Sequence, residues 1–357
     1  MSVDRRRFLK LAGATMAAPS TGACSSHKRV PASGVPTSDF GADSTAEEVT
    51  EGIDLTAKVA VVTGCNSGIG YETMRVLALR GAHVIGTGRS IEKAQNACSS
   101  VLGVTTPVQL ELSDFGSVTA CAATIRSLNS PIDMLICNAG MRGTGDREQA
   151  YGLEKHFVVN HLGHFILVHN LLGRLYLSRQ GRVVVVGSRS AYTSAPDEGI
   201  QFGNLRGTRD YSVGRAYGHS KLANVLFSLE LAKRLRGTRI TSNSLHPGVI
   251  NTKIDRTEPK FFQFAFGMLT AIAGKSIAQG AATSCYVATS PLLGSVSGQY
   301  FEDCNAVKVL GANHMHDEQQ ARELWDVSEA LTKEYLLQME RPDRDVIRNG
   351  VRDSSDT

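Results

Sequence analysis

No stretch of this 357-residue chain reaches the ~18 consecutive apolar residues that a membrane-spanning helix needs. Its seven cysteines (Cys24, Cys65, Cys98, Cys121, Cys137, Cys285 and Cys304) are scattered, with no Cys-x-x-Cys pair and no histidine at ligand spacing. That pattern supports neither a structural metal nor a disulfide framework. An internal repeat is also missing, and so is a large charge excess. The formal net charge is +4, and residues 1–24 hold Arg5, Arg6, Arg7 and Lys10 against Asp4, a net of +3 that leaves +1 for the rest. Nucleic acid is therefore not an implied partner. What is present is 42% hydrophobic content, enough at this length to bury one large core, and the chain reads as one folded domain.

The leader Arg5-Arg6-Arg7-Phe8-Leu9-Lys10, followed by a weakly apolar stretch to Pro19, resembles a bacterial twin-arginine signal. Such signals export proteins already folded, so a dissociable cofactor would be loaded before crossing. Residues 1–24 are read as this signal, with cleavage near Ala23 and an exported, periplasmic or cell-envelope destination. Thr21-Gly22-Ala23-Cys24 also resembles a lipoprotein box, with Thr21 where Leu is usual, which leaves a lipid anchor at Cys24 as an alternative. A basic leader that exports nothing, and hence a cytoplasmic protein, is the other.

Residues 25–50, rich in Ser, Pro, Gly and Thr, read as a linker, residues 51–340 as the folded domain and 341–357 as a polar tail. From Lys58 onward, short apolar runs at 59–62, 84–85, 108–112, 134–136 and 183–186 alternate with segments of helical periodicity. Long helices are expected over 151–178 and 213–236, and late strands over 240–245 and 299–301. Buried parallel strands joined by crossover helices give this pattern, so the fold class is α/β: a single doubly wound parallel sheet with helices on both faces.

Thr63-Gly64-Cys65-Asn66-Ser67-Gly68-Ile69-Gly70 follows the first of these strands and opens a helix. Missing Cβ atoms at Gly64, Gly68 and Gly70 let backbone approach a pyrophosphate, and the helix N-terminus faces its charge. After the next strand, Gly86-Thr87-Gly88-Arg89-Ser90 carries no acid for a ribose 2′-hydroxyl, whereas Arg89 suits a 2′-phosphate. NADP(H) is favoured over NAD(H). Downstream, Ala216-Tyr217-Gly218-His219-Ser220-Lys221 places a tyrosine and a lysine four residues apart on one helix face. An ordinary Tyr titrates near ~10, and an adjacent ammonium favours its phenolate, so Tyr217 suits a general acid/base for carbonyl and alcohol interconversion.

These residues resemble the short-chain dehydrogenase/reductase family, over residues 44–337. Cys137-Asn138-Ala139-Gly140 is similar to its Asn-Asn-Ala-Gly segment, with Cys137 for the first Asn. Asn160-His161-Leu162-Gly163-His164-Phe165 is similar to the stretch holding the catalytic Asn, and Val186-Gly187-Ser188 to the strand end holding the catalytic Ser. His246-Pro247-Gly248 with Thr252 matches the loop that contacts the nicotinamide carboxamide. The resemblance implies a Rossmann fold, a catalytic set of Asn160, Ser188, Tyr217 and Lys221, and a nicotinamide cofactor. Asn66, Ser67, Ile69, Asn138, Ala139, Gly140, Pro247, Gly248 and Thr252 would contact that cofactor, with Tyr217 and Lys221. Gly187 stands for a usual Ser, and Glu111 for an Asp that usually meets the adenine. Ser220 through Phe227 and Lys275 through Thr283 resemble the retinol dehydrogenase and WW-domain-containing oxidoreductase branch, without WW domains. A homo-oligomer paired through the two long helices is implied in the same way.

In this scheme Lys221 supports the phenolate and holds the nicotinamide ribose, Ser188 stabilises charge on the substrate oxygen, and Asn160 holds a water leading from Lys221 to solvent. His156, His161, His164 and His169 lack a carboxylate or Cys to complete a metal site, and Cys137 reads as a small buried residue. Phe261-Phe262-Gln263-Phe264-Ala265-Phe266-Gly267-Met268-Leu269 falls where the family has its substrate lid. It reads as a cover over a small apolar carbonyl or alcohol, as a core helix, or as a patch in proximity to a membrane. Competing functions are a nicotinamide-binding regulator or scaffold with little turnover, and light-dependent protochlorophyllide reduction, whose branch shares the Cys-Asn-Ala and Asn-His-Leu-Gly-His-Phe segments.

Overall fold

The computed structural model describes residues 27–143, 145–250 and 274–338. The strands are β1 (Arg29–Pro31), β2 (Val59–Val62), β3 (His83–Gly88), β4 (Thr105–Gln109), β5 (Met134–Cys137), β6 (Gln149–Ala150), β7 (Leu153–Glu154), β8 (Gly181–Val186), β9 (Ile240–His246), β10 (Tyr300–Glu302) and β11 (Asn305–Val309). Nine of them form one sheet, ordered β1-β11-β10-β9-β8-β5-β2-β3-β4. The seven from β10 to β4 are parallel, and β11 and β1 add an antiparallel edge. The helices are α1 (Gly68–Leu79), α2 (Ile91–Ser99), α3 (Phe115–Ser127), α4 (Gly163–Tyr176), α5 (Ser190–Thr193), α6 (Val213–Arg234), α7 (Ile277–Thr289) and α8 (Glu318–Thr332).

Because strand side chains alternate, the central runs feed two cores at once. Val59, Val61, Leu135, Cys137, Val183 and Val185 face α3, α4, α6 and α8. Ala60, Val62, Met134, Ile136, Val184 and Val186 face α1, α2 and α7. This is the doubly wound sheet that the sequence pattern predicts. The chain order reverses at β2, with β3 on one side and β5 on the other. In such sheets the crevice at the strands' carboxyl ends there is where ligands bind.

Three expectations need correction. Part of the 25–50 segment belongs to the fold: β1 pairs antiparallel with β11, and Ala46 and Val49 are buried in the core under α1 and α7. Its few large side chains hid an edge strand whose residues alternate between exposed and half-buried. The run at 108–112 is strand only to Gln109; the strand starts earlier, at Thr105, and Pro107 is accommodated because β4 is an edge. The long helix expected over 151–178 starts later. Residues 149–154 form the β6–β7 hairpin through Tyr151 and Gly152, both at positive φ (51° and 69°). A π-helical turn (Phe157–Leu162) then leads into α4. Within the chain, Gly173 and Arg234 are the exposed residues of α4 and α6. The C-terminal α8 lies over α6, where Trp325 stacks on Phe227 (5.9 Å) and meets Phe165 edge-on (5.0 Å).

Phe165 is 1% exposed between Phe227 and Trp325, and partial collapse around it cannot recover its contacts. Phe165→Ala should lower unfolding stability by about 3–5 kcal/mol. The single tryptophan reports this directly in a urea titration followed by fluorescence.

Candidate active site

At the end of β2 the chain turns sharply, with Gly64 at φ +73° and Gly68 at φ +61°. Gly70 shows why the turn admits no side chain: a Cβ there would sit 2.3 Å from the Gly64 carbonyl oxygen and 2.4 Å from Asn138 Nδ2. Thr87 on β3 holds the turn from the other side, accepting from Gly64 N (3.3 Å) and Cys65 N (2.8 Å). Asn66 and Ser67 are exposed, and Ser67 makes no side-chain cap on α1. The first amides of α1 are thus left for an anion, as a pyrophosphate requires. Ile69 contributes only backbone here, because its side chain is buried in the core.

Thr63 binds this turn to the loop after β5. Its hydroxyl accepts from Asn138 N and Ala139 N, both at 2.9 Å, while Asn138 Nδ2 donates to Thr63 O (2.8 Å). Asn138 is therefore a stitch between two loops. His164 Nε2 lies 3.0 Å from the same hydroxyl, and its Nδ1 lies 3.0 Å from Asn160 O. A carbonyl only accepts, so Nδ1 carries the proton and Thr63 donates to Nε2. Burial, which pushes His164 down to about 4, keeps that neutral tautomer.

Asn160 sits in the π-helical turn, a distortion that recurs at functional sites. Its Oδ1 accepts from Met141 N (2.8 Å), and its Nδ2 donates to Met141 O (3.0 Å) and Ser220 Oγ (2.9 Å). Ser220 in turn donates to Tyr217 O (2.8 Å). One buried amide thereby joins the loop after β5 to α6. Gly140 lies in this corner, with space for a Cβ only 3.2 Å from Asn160 Oδ1 and 3.5 Å from Lys221 Nζ.

Tyr217 and Lys221 project one turn apart from α6. Lys221 is buried, and its Nζ donates to Val186 O (2.9 Å) at the end of β8. Burial pushes it down to about 8. The ammonium lies 5.7 Å from the Tyr217 ring centroid. Ser188 follows β8 and is half-buried, its Oγ accepting from Ser190 N (3.2 Å) at the start of α5. Gly218 lets α6 press onto the end of α5: a Cβ would meet the Ser194 backbone at 2.5 Å. That contact sets α5, which follows Ser188, against the turn of α6 that carries Tyr217.

The remaining expected residues are more dispersed. Arg89 is exposed just past β3 and, among the described residues, makes no ion pair. Glu111 turns its carboxylate onto Ser113 N (3.0 Å) and Oγ (2.7 Å). Pro247 and Gly248 leave β9, with Gly248 at φ +105°. Thr252, the 261–269 stretch and Cys24 lie outside the described residues. Sequence reasoning missed Arg142, whose guanidinium stands 5.8 Å from the Tyr217 ring, and the buried pair behind it. Glu154 accepts from His156 Nδ1 (2.6 Å), and His156 Nε2 accepts from Gly143 N (2.8 Å). No local motif announces these groups; a Gly-Leu-Glu-Lys-His string on a hairpin is ordinary sequence.

The buried ammonium has a thermodynamic signature. The native lysine titrates near 8 and the unfolded one near ~10.4, so below pH 8 the fold bears the full desolvation cost, roughly 3 kcal/mol, and that cost fades as pH rises to 10.4. Buried thiols, pushed up by burial, pull the parent's curve the other way, so the informative quantity is a difference. Lys221→Met should be the more stable protein at pH 7, by an advantage that shrinks steadily between pH 8 and 10, as measured by denaturant titration at each pH.

Residues 58–199 match the short chain dehydrogenase family model. The chain is 39% identical to the short-chain dehydrogenase TIC 32 A, chloroplastic, of Brassica napus, over 82% of this chain and 93% of that protein. It is 40% identical to retinol dehydrogenase 12 of Bos taurus, over 77% and 86% respectively. Among solved structures, an uncharacterized protein from Mycobacterium paratuberculosis superposes with a TM-score of 0.63 at 30% identity, covering 80% of this chain and 97% of that one. With the doubly wound sheet and the turn at its switch point, these likenesses show that the chain belongs to the short-chain dehydrogenase/reductase family of NAD(P)-dependent oxidoreductases, acting on a small-molecule substrate.

Proposed function

We propose that this enzyme is an NADP-dependent reductase or dehydrogenase of small apolar carbonyls and alcohols, with Tyr217 as general acid and base. The observation that carries the reading is the buried Lys221 ammonium beside the Tyr217 ring on α6. Bound nicotinamide supplies or takes the hydride. The protein's part is the proton. In reduction, Tyr217 Oη donates to the developing alkoxide; in oxidation the same oxygen takes the proton back. Lys221 from one side and Arg142 from another favour the phenolate and so ease its release of the proton. Ser188 donates to the substrate oxygen and stabilises charge there. Both Nδ2 protons of Asn160 are used within the protein, so a proton-relay water would donate to a remaining acceptor lone pair of this residue, on the main-chain carbonyl beside the His164 bond or on Oδ1.

Support for NADP comes from Arg89, exposed, unpaired among the described residues and followed by a helix whose cap is Ser90 rather than an acid. Support for an apolar substrate comes from the phenylalanine-rich 261–269 stretch and from the likeness to proteins named retinol dehydrogenase. The twin-arginine-like leader supports export. None of the described helices is long and apolar enough to cross a membrane.

Oxidation of NADPH and NADH by protein lacking residues 1–24, over a panel of apolar aldehydes and ketones, tests the activity. Tyr217→Phe should retain cofactor affinity and lose about 10²- to 10⁴-fold in kcat; full activity in that variant would remove Tyr217 from the chemistry. NADPH binding without turnover of any panel member would instead favour a regulator. Arg89→Asp should weaken NADPH binding at least ~10-fold while changing NADH little, read by cofactor fluorescence titration.

A further inference from the structure

Glu302 ends β10 at the carboxyl end of the parallel strands, the end at which Ser188 follows β8, and its side chain is 3% exposed. Three hydrogen bonds and a further ion-pair contact converge on that carboxylate. Arg189 donates through Nε (2.9 Å) and Arg29 through Nη1 (2.9 Å), both to Oε2, Arg189 Nη2 lies 2.8 Å from the same oxygen, and Tyr192 Oη donates to Oε1 (2.9 Å). Burial disfavours its charge, but Arg189 and then Arg29 outweigh that, and the carboxyl is held below its usual range.

The donors come from two distant parts of the chain. Arg189 directly follows Ser188, and Tyr192 lies in α5, a single short turn closed by Ala191 N to Ser188 O (3.0 Å) and Thr193 N to Arg189 O (3.0 Å). A turn of four residues is not stable by itself, so the side chains that anchor it fix where Ser188 points. Arg29 comes from β1, the edge strand that the sequence presents as linker. The other charged groups nearby do not compete. His246, the cross-strand neighbour of Glu302, is held neutral by burial, and Asp303 pairs with Lys275 (2.6 Å).

We infer that Glu302 is a positioning residue for Ser188: it clamps the Ser188–Thr193 turn through Arg189 and Tyr192, and Arg29 makes that clamp depend on the N-terminal strand. The inference rests on the reading of Ser188 as the hydroxyl that meets the substrate oxygen. It also gives β1 a part in the site, and a mature chain starting beyond Arg29 would lack one of the clamp's cations.

Amide hydrogen exchange over residues 191–195 tests the clamp without requiring a known substrate, using protein lacking residues 1–24. Glu302→Gln and Arg29→Ala should each speed exchange there at least tenfold, with peptides from β2 and α4 unchanged. In the turnover assay both should lower kcat at least tenfold with NADPH affinity within twofold, and Glu302→Asp should recover part of the loss. Unchanged exchange at 191–195 in both variants would overturn the clamp, as would accelerated exchange across the whole molecule in both. If Ser188→Ala turns out fully active while exchange responds as stated, the clamp stands and the role given to Ser188 fails.

Discussion

The ammonium of Lys221 is out of water, with one carbonyl oxygen as its hydrogen-bond acceptor among the described residues, and much of the site can be understood as the arrangement that makes this tolerable. A buried lysine normally sheds its proton, and here burial has moved it more than halfway toward doing so at neutral pH. Val186 O is available to it because β8 ends there and the chain turns away into Ser188. Gly140 leaves room for it. A phenolate at Tyr217 is the charge that would compensate it, and an oxidised nicotinamide, itself a cation, would favour the same phenolate. A cation kept at this cost makes little sense as packing, and ready sense as part of a proton-transfer pair.

A chain of polar contacts connects Tyr217 and Lys221 to the glycine turn after β2. Thr63 holds the loop after β5 and, through His164, the carbonyl of Asn160; Asn160 holds Met141 and Ser220; Ser220 holds Tyr217. Each member is buried or half-buried, and each bond's direction follows from donor chemistry. Such networks specify one geometry when every member is satisfied. Arg142 lies between two pinned residues, Met141 held by Asn160 and Gly143 held by His156, so its approach to the Tyr217 ring is set by the same network.

Much of this was legible in the sequence because it is local. The apolar runs that form β2, β5 and β8 are short and buried on both faces, and the glycines of the turn sit at fixed offsets after a strand. Tyr217 and Lys221 share a helix face by spacing alone. What was illegible is long-range or marginal. Arg29 and Glu302 are 273 positions apart, and nothing in Arg29-Val30-Pro31 announces a strand until β11 offers it an edge. The π-helical turn at Asn160 and the Tyr151-Gly152 hairpin depart from an apolar pattern that, read alone, continues one long helix. The covering of α6 by α8 depends on a tryptophan finding Phe227 and Phe165 across the fold, which periodicity cannot show.

Whether Tyr217 and Lys221 act as one unit is read from a double-mutant cycle on the hydride-transfer step. Single-turnover rates at saturating NADPH would be compared for the parent, Tyr217→Phe, Lys221→Met and the double variant. The account predicts strong non-additivity, with the double variant scarcely slower than Tyr217→Phe alone, because a lysine that works through the phenol has nothing left to act on. Losses that simply multiply would contradict it and make Lys221 an independent contributor.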